Sequence, residues 1–282
     1  MASLEREIRV PRAFRKSDLS SIGVVWPIMV LIVGFWFPIA VWIIKYGSIK
    51  QPLGLIRSDY FLHALWVTCA IAAATTVASV VLAYPLALIW WLSSQRISSL
   101  LAAVIFLPLI VGLLARNYSW IGMLSGRDLT SSMGLVLIRG QDYLYRIHSV
   151  IGVMTYIFVP IAFFILIYAL SSVSRDELDA ARTMGATDYE IVRRLVLPRT
   201  FRQAIIGAFL ISANALGYFV TPHMLGGGNF DMLGNLIWKN INHLGLFAES
   251  SLLSISLLIV LSPFYLLSFI LIVRNRQRVL GR

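Results

Sequence analysis

The sequence predicts an all-α membrane protein with six transmembrane helices and both termini on the cytoplasmic side. Three observations carry this reading. Of the 282 residues, 59% are hydrophobic and 13% charged, against roughly 25% charged in a soluble domain. The apolar residues come in blocks long enough to cross a bilayer, which takes about 20 residues as a helix. The basic residues behind the net charge of +11 lie between those blocks and mostly on one side of them. That placement fits a membrane protein and argues against a nucleic-acid partner.

The first block, Ile22–Ile44, follows five basic residues (Arg6, Arg9, Arg12, Arg15 and Lys16). It is longer than the apolar core of a signal peptide, and no small-residue cleavage site follows it. It reads as a first span, with residues 1–21 left inside as a basic tail. The remaining spans are Leu62–Leu92, Ser98–Leu124, Ile147–Leu170, Gln203–Thr221 and Ser250–Val273, giving a six-span domain over 22–273 and a second basic tail over 274–282. The second block is over-long and has room to tilt or to extend beyond the bilayer. Pro27, Pro38, Pro85, Pro108, Pro160 and Pro263 punctuate the spans. Neighbouring helices in a bundle absorb such kinks, and bent helices around a pathway are expected. Cys69 lies inside a block and reads as a small packing residue.

Orientation follows from the distribution of Lys and Arg. The side of the termini carries five basic residues in the tail, one at Arg96, six between Arg175 and Arg202, and four after the last span. The opposite side carries Lys45, Lys50, Arg57, Arg127, Arg139, Arg146 and Lys239. Both termini are therefore expected in the cytoplasm of a multi-pass protein.

The longest polar segment inside this region is Ser174–Pro198. Ser174 and Glu177 have the spacing of a capping box, as do Thr187 and Glu190. Asp176, Glu177 and Asp179 crowd the first helical turn, where the helix dipole favours negative charge. Gly185 is placed to end that helix in a left-handed turn, and Pro198 to stop the second. Tyr189, Val192 and Val196, with Leu195 beside them, are expected on one face of the second helix. The spacing thus predicts two short helices hinged at Gly185. Such an element could dock into a soluble partner or simply connect two spans along the interface.

The stretch Asp179-Ala180-Ala181-x3-Gly185-x9-Leu195-x-Leu197-Pro198 resembles the "EAA" loop of permeases in binding-protein-dependent (type I) ABC importers, E-A-A-x3-G-x9-I-x-L-P. Asp179 and Leu195 replace the family's Glu and Ile and keep their charge and apolar character. The resemblance implies the type I importer permease fold, with coupling helices over 174–198. Glu177, Asp179, Ala180, Ala181, Gly185, Leu195, Leu197 and Pro198 would contact a cytoplasmic ATPase. It also implies two such ATPase subunits, a second permease forming a heterodimer, a soluble substrate-binding protein and the lipid of a bacterial inner membrane. This chain would bind no cofactor and catalyse nothing; ATP and Mg²⁺ would belong to the ATPase, and the sequence itself has no G-x-x-x-x-G-K-[ST] loop.

Two further segments are similar to those of spermidine/putrescine permeases, specifically the first of the paired permeases. They are Leu107-Pro108 through Arg116-x-Tyr118-x-Trp120, and Tyr218-Phe-Val-Thr221-Pro-His-Met-Leu225-Gly-Gly227. The resemblance implies polyamine import, with ferric iron, thiamine, aminoethylphosphonate, opine or amino-acid-like cargo as alternatives. The expected spans hold no Asp or Glu, so a polycation would rely on aromatic faces and acids at the outer mouth. Tyr118, Trp120, Ser212, Asn214, Tyr218 and Asp231 are the pathway candidates. Arg116 is a charge inside a span. It suits either an anionic substrate or a structural bond to free carbonyls. The scattered histidines (His63, His148, His223, His243) lack metal-ligand spacing, and Gly226–Gly228 reads as a tight outward loop.

A secondary transporter is the main alternative. No inverted repeat and no chain of ionisable residues at mid-membrane supports it. A membrane-embedded enzyme lacks H-E-x-x-H, G-x-S-x-G and paired intramembrane aspartates.

Overall fold

The computed structural model describes residues 37, 41, 44, 45, 58–125 and 144–280, with side chains as far as 271 except that of residue 175. The chain forms two compact units, Met1–Ile49 and Lys50–Arg282. In the first, Phe37, Val41, Ile44 and Lys45 are helical. The rest of the expected first span, and the tail before it, lie outside the described residues.

The second unit is built of helices, with no strand among the described residues. In order they are α1 (Asp59–Leu92), α2 (Gln95–Ile110), α3 (Leu113–Ser125), α4 (Ile147–Leu170), α5 (Arg175–Thr183), α6 (Asp188–Ile191), a π-helical turn (Val192–Val196), α7 (Leu197–Leu216), α8 (Val220–Leu225), α9 (Leu233–Asn242) and α10 (Phe247–Leu280). Among the described residues four stretches are long and apolar enough to cross a membrane: α1, α4, the run Asp188–Leu216, and Phe247–Leu271 of α10. A fifth arises if α2 and α3 count as one broken span.

At the centre α1 packs along α4, and α7 packs against both. Lipid tails are as apolar as leucine, so such packing rests on close fit and interhelical hydrogen bonds rather than on exclusion of water. The sequence of α1 supplies both. Ala64, Thr68, Ala72, Thr76, Ala83 and Ala87 are buried on it, a seam of small side chains that lets neighbouring backbones approach. Phe163, Met154 and Leu166 of α4 fill the core. Thr68 and Thr76 donate their hydroxyl hydrogens to Ala64 O (2.6 Å) and Ala72 O (2.7 Å). Their oxygens are left to accept from Leu233 N at 2.9 Å and from the Ser212 hydroxyl at 3.0 Å. Those bonds pin α9 and α7 to α1.

Four boundaries differ from the sequence expectation, each for a local reason. The third span is not one helix: α2 and α3 meet at 97° across Val111–Gly112. Pro108 removes a backbone donor near the end of α2, and the break frees the Pro108 carbonyl. Arg116 Nη1 donates to that carbonyl at 2.8 Å. The fifth span begins earlier, because Pro198 does not stop the preceding helix. The π-helical turn lets the Leu197 N–H reach Val192 O. That wider turn carries the chain past the proline, which occupies the first turn of α7, where its missing N–H costs little. The same span ends at Leu216, and a non-helical Gly217–Phe219 link leads into α8. Finally, α10 continues to Leu280, so most of the expected C-terminal tail is helical.

Candidate functional site

The polar segment at 174–198 folds as a capped helix pair that reaches out from the bundle. The Ser174 hydroxyl accepts from Glu177 N at 3.3 Å and caps α5. The reciprocal half of that expected capping box is missing. The Glu177 carboxylate instead pairs with the Arg199 guanidinium at the start of α7, a longer-range ionic contact that outcompetes the local backbone donor. The second capping box is complete: Thr187 Oγ1 accepts from Glu190 N at 3.3 Å, and Glu190 Oε2 accepts from Thr187 N at 3.1 Å. Between the helices Gly185 sits at φ +85°, a left-handed conformation that L side chains resist.

These contacts set the charge states of the loop. The Arg199 hydrogen bond holds the Glu177 carboxyl below the usual carboxylate range. The Thr187 backbone N–H and hydroxyl do the same for Glu190. A further ion pair crosses the hinge, Arg182 to Asp188 at 3.2 Å. Arg182 also stands 3.9 Å from Asp179.

The pair is anchored on one side and open on the other. Ile191 and Val196 are buried, and Leu178, Ala181, Ala186 and Leu195 pack half-buried against the core. The anchoring face is therefore Ile191 with Val196, not Tyr189 with Val192 and Val196. The i→i+5 bonding of the π-helical turn takes in one residue more than an α turn and shifts the phase that a straight helix would have kept. Tyr189 is 70% exposed and Met184, beside the hinge, 81%. Two recesses flank the pair. One, of about 710 Å³, lies against the end of α1 and includes Trp90, Trp91, Asp179, Arg182 and Asp188. The other, of about 690 Å³, includes Glu177, Ala180, Ala181, Gly185 and Leu195. Leu197 is exposed and Pro198 lies beside it at the base of α7. The eight residues singled out from the sequence thus form one contiguous element.

The pathway candidates are more dispersed. Arg116 is half-buried, with Nη1 on Pro108 O and a buried Nε that has no partner. Tyr118 is exposed. Trp120 meets Tyr156 of α4 edge-on at 5.3 Å. Ser212 bonds Thr76, whereas Asn214 is exposed and donates to Leu210 O at 2.8 Å. The ring of Tyr218 packs on Phe158 at 5.7 Å, and its buried hydroxyl lacks a partner. Asp231 is half-buried and engaged by Lys239. Gly227, at φ +57°, lies under the ring of Tyr145, where an added Cβ would come within 2.4 Å of Tyr145 Cδ1.

Two contacts escaped the sequence reasoning. Thr221 Oγ1 donates to Asn117 Oδ1 at 2.7 Å, both residues fully buried, and so ties α8 to α3. The other is Arg199 on Glu177. Both join residues distant in the chain, and no local spacing announces either.

Apolar helices with buried interhelical hydrogen bonds, a span broken at Val111–Gly112 and a capped polar helix pair define an integral membrane protein of the transporter class. Residues 71–281 match the family described as binding-protein-dependent transport system inner membrane component, and the chain belongs to that family of ABC transporter permeases. It is 25% identical over 205 residues to the spermidine/putrescine transport system permease protein PotB of Haemophilus influenzae, covering 71% of this chain and 68% of that one. It is 26% identical over 198 residues to PotB of Escherichia coli, covering 68% and 69%. A probable ABC transporter permease, y4fN of Sinorhizobium fredii, is 26% identical over 272 residues, which are 94% of this chain and 47% of that protein. Among solved structures, a bacterial alginate ABC transporter in complex with its pentasaccharide-bound periplasmic protein matches with TM-score 0.66 at 14% identity, covering 89% of this chain and 94% of that one. The MetNI methionine ABC transporter in an inward-facing conformation matches with TM-score 0.57 at 16% identity, covering 77% and 98%. These likenesses show the fold.

Proposed function

We propose that the chain forms half of the translocation pathway of an ATP-driven importer, and that α5 and α6 dock into a separate cytoplasmic ATPase. The observation that carries this is the helix pair itself. Asp179, Ala180, Ala181, Gly185, Leu195, Leu197 and Pro198 keep the family spacing on an element that is capped, hinged and outwardly open. Met184 and Tyr189 present apolar surface at its tip, the kind of anchor a partner's groove would bury. The chain would pair with a second permease in a bacterial inner membrane, above two ATPase subunits that hold the ATP and Mg²⁺. A soluble receptor would deliver the cargo. Closure of the ATPases would bring the docking pairs together and open the spans outward; hydrolysis would return them.

The substrate class proposed is a polyamine, by likeness to the PotB proteins. The exposed Tyr118 and the Trp120–Tyr156 pair offer aromatic faces to a cation. With Lys239 engaging Asp231, the burden falls on those rings and on the partner permease.

The test is co-purification and transport. The chain, co-expressed with a cognate ATPase, second permease and receptor, should co-purify with the ATPase. Gly185→Asp, which puts a negatively charged side chain at a left-handed position on the hinge, should abolish that association. Retained association would sink the docking assignment. Proteoliposomes of the complex should take up radiolabelled spermidine in an ATP-dependent manner; a receptor that binds no polyamine would discard the substrate while leaving the machine.

A further inference from the structure

We propose that Arg199 is a positioning residue, a strut that through Glu177 fixes the angle of α5 against the base of α7 and so delivers movement of the docking pair to that span. The inference rests on the docking role proposed for α5 and α6.

No described residue of α5 is buried; Leu178 and Ala181 reach the core only as half-buried contacts. At its C-terminal end α5 meets the left-handed joint at Gly185, which has open space around it. Packing therefore holds the helix loosely at that joint, which the Ala186 N–H crosses to Ala181 O at 3.0 Å. Two ionic contacts oppose a swing about it. Arg182 to Asp188 spans the joint itself, but both side chains are more than half exposed. Glu177 to Arg199 joins residues 22 apart in sequence, at side-chain exposures of 39% and 41%.

The far end of the second contact is fixed. Arg199 follows Pro198, whose ring locks one backbone torsion. It precedes Thr200, which is fully buried. The Thr200 hydroxyl donates to Val196 O at 2.9 Å and accepts from the Tyr84 hydroxyl of α1 at 3.0 Å. A guanidinium mounted on that base, facing the first turn of α5, converts a hinged helix into a braced one. An exposed ion pair adds little to global stability. Its consequence here is the direction in which force travels, because α6 and α7 form one continuous rod through the π-helical turn.

The variants R199E, E177R and the double swap separate these roles, in the full complex and in the permease with spin labels on Asp176 and Phe201. The wild-type label pair should give a narrow distance distribution, broadened in R199E and narrowed again in the swap. R199E should keep co-purified ATPase within about twofold of wild type while losing about fivefold in substrate moved per ATP, the scale of one exposed ion pair. Because Glu177 also stands among the docking residues, the swap is read by the distance distribution of the permease alone. An unchanged distribution in R199E, wild-type coupling in R199E, or a swap that leaves the distribution broad would overturn the strut. Loss of ATPase binding in R199E would also overturn it, making the pair part of the docking surface. A wild-type chain that recruits no ATPase would instead defeat the docking reading, and the strut's function with it.

Discussion

Asn117 and Thr221 show how much one buried hydrogen bond can organise. Each sits beside a break in a span, and their side chains join α3 to α8 at 2.7 Å. Asn117 Nδ2 is already committed to Leu113 O at 2.9 Å, so its oxygen depends on Thr221. Thr221→Val keeps the shape of the side chain and removes the donor. It should lower stability by about 0.6–2 kcal/mol, the range for interhelical bonds in membranes, read as an earlier unfolding midpoint in detergent. At this scale the sequence was partly legible. Arg116, a charge in an apolar block, suited either an anion or free carbonyls, and Pro108 O is one such carbonyl. Its partner could not be named in advance, because the carbonyl becomes free only when the span breaks at Val111–Gly112. Tyr218 was legible as an aromatic near the end of a span, but not as a ring set edge-on against Phe158.

Among the elements, the helix pair at 174–198 was the most readable, since caps and glycines act over three or four residues. Thr187, Glu190 and Gly185 all take the conformations their spacing implies. The exceptions, Glu177 and Pro198, are where a contact from outside the segment or a change of helix type overrides the local rule. The electrostatics of the pair bear on pH. Glu177 and Glu190 titrate below an ordinary glutamate because their folded partners favour the carboxylate. Their contribution to the order of the loop is therefore present above the unfolded carboxyl range and is lost as pH falls through the lowered folded values. Protection of the Glu177 and Glu190 amides from hydrogen exchange, measured against the intrinsic rate at each pH, should accordingly persist near neutrality and at mildly acidic pH and fall once these carboxylates protonate. Loss of protection already near pH 6 would show that the contacts do not hold in solution.

For the whole molecule, the hydropathy blocks found the described spans α1, α4 and α10 with modest error. They missed the 97° break between α2 and α3, since a broken span and a straight one have the same composition. They also divided the polar loop from the fifth span, although α6, the π-helical turn and α7 are continuous. That continuity bears on assembly. Met184 and Tyr189 stand at the outer end of the rod and its companion helix, more exposed than any other large apolar side chain of the segment. Met184→Ala and Tyr189→Ala together should weaken retention of the ATPase by at least about tenfold, as expected when an apolar anchor is truncated. Stability of the isolated permease should be unchanged, and pull-down against a dilution series would measure the first effect.

The π-helical turn at Val192–Val196 acts as a phase adjuster. Each residue of an α-helix advances the helix by about 100° and 1.5 Å. Four α residues cover nearly the same rotation as the five of this wider turn, so deleting Arg194 should relax it to ordinary α geometry and leave the azimuth of the tip almost unchanged. Deleting Gln203 instead, from the α-helical part of the rod, would rotate the tip carrying Asp188 and Tyr189 by about 100° relative to the membrane anchor. In that second variant helix content by circular dichroism should barely change, while ATPase recruitment should collapse. One residue would then decide the azimuth at which the tip meets its partner, as the keyway on a shaft decides how a gear seats.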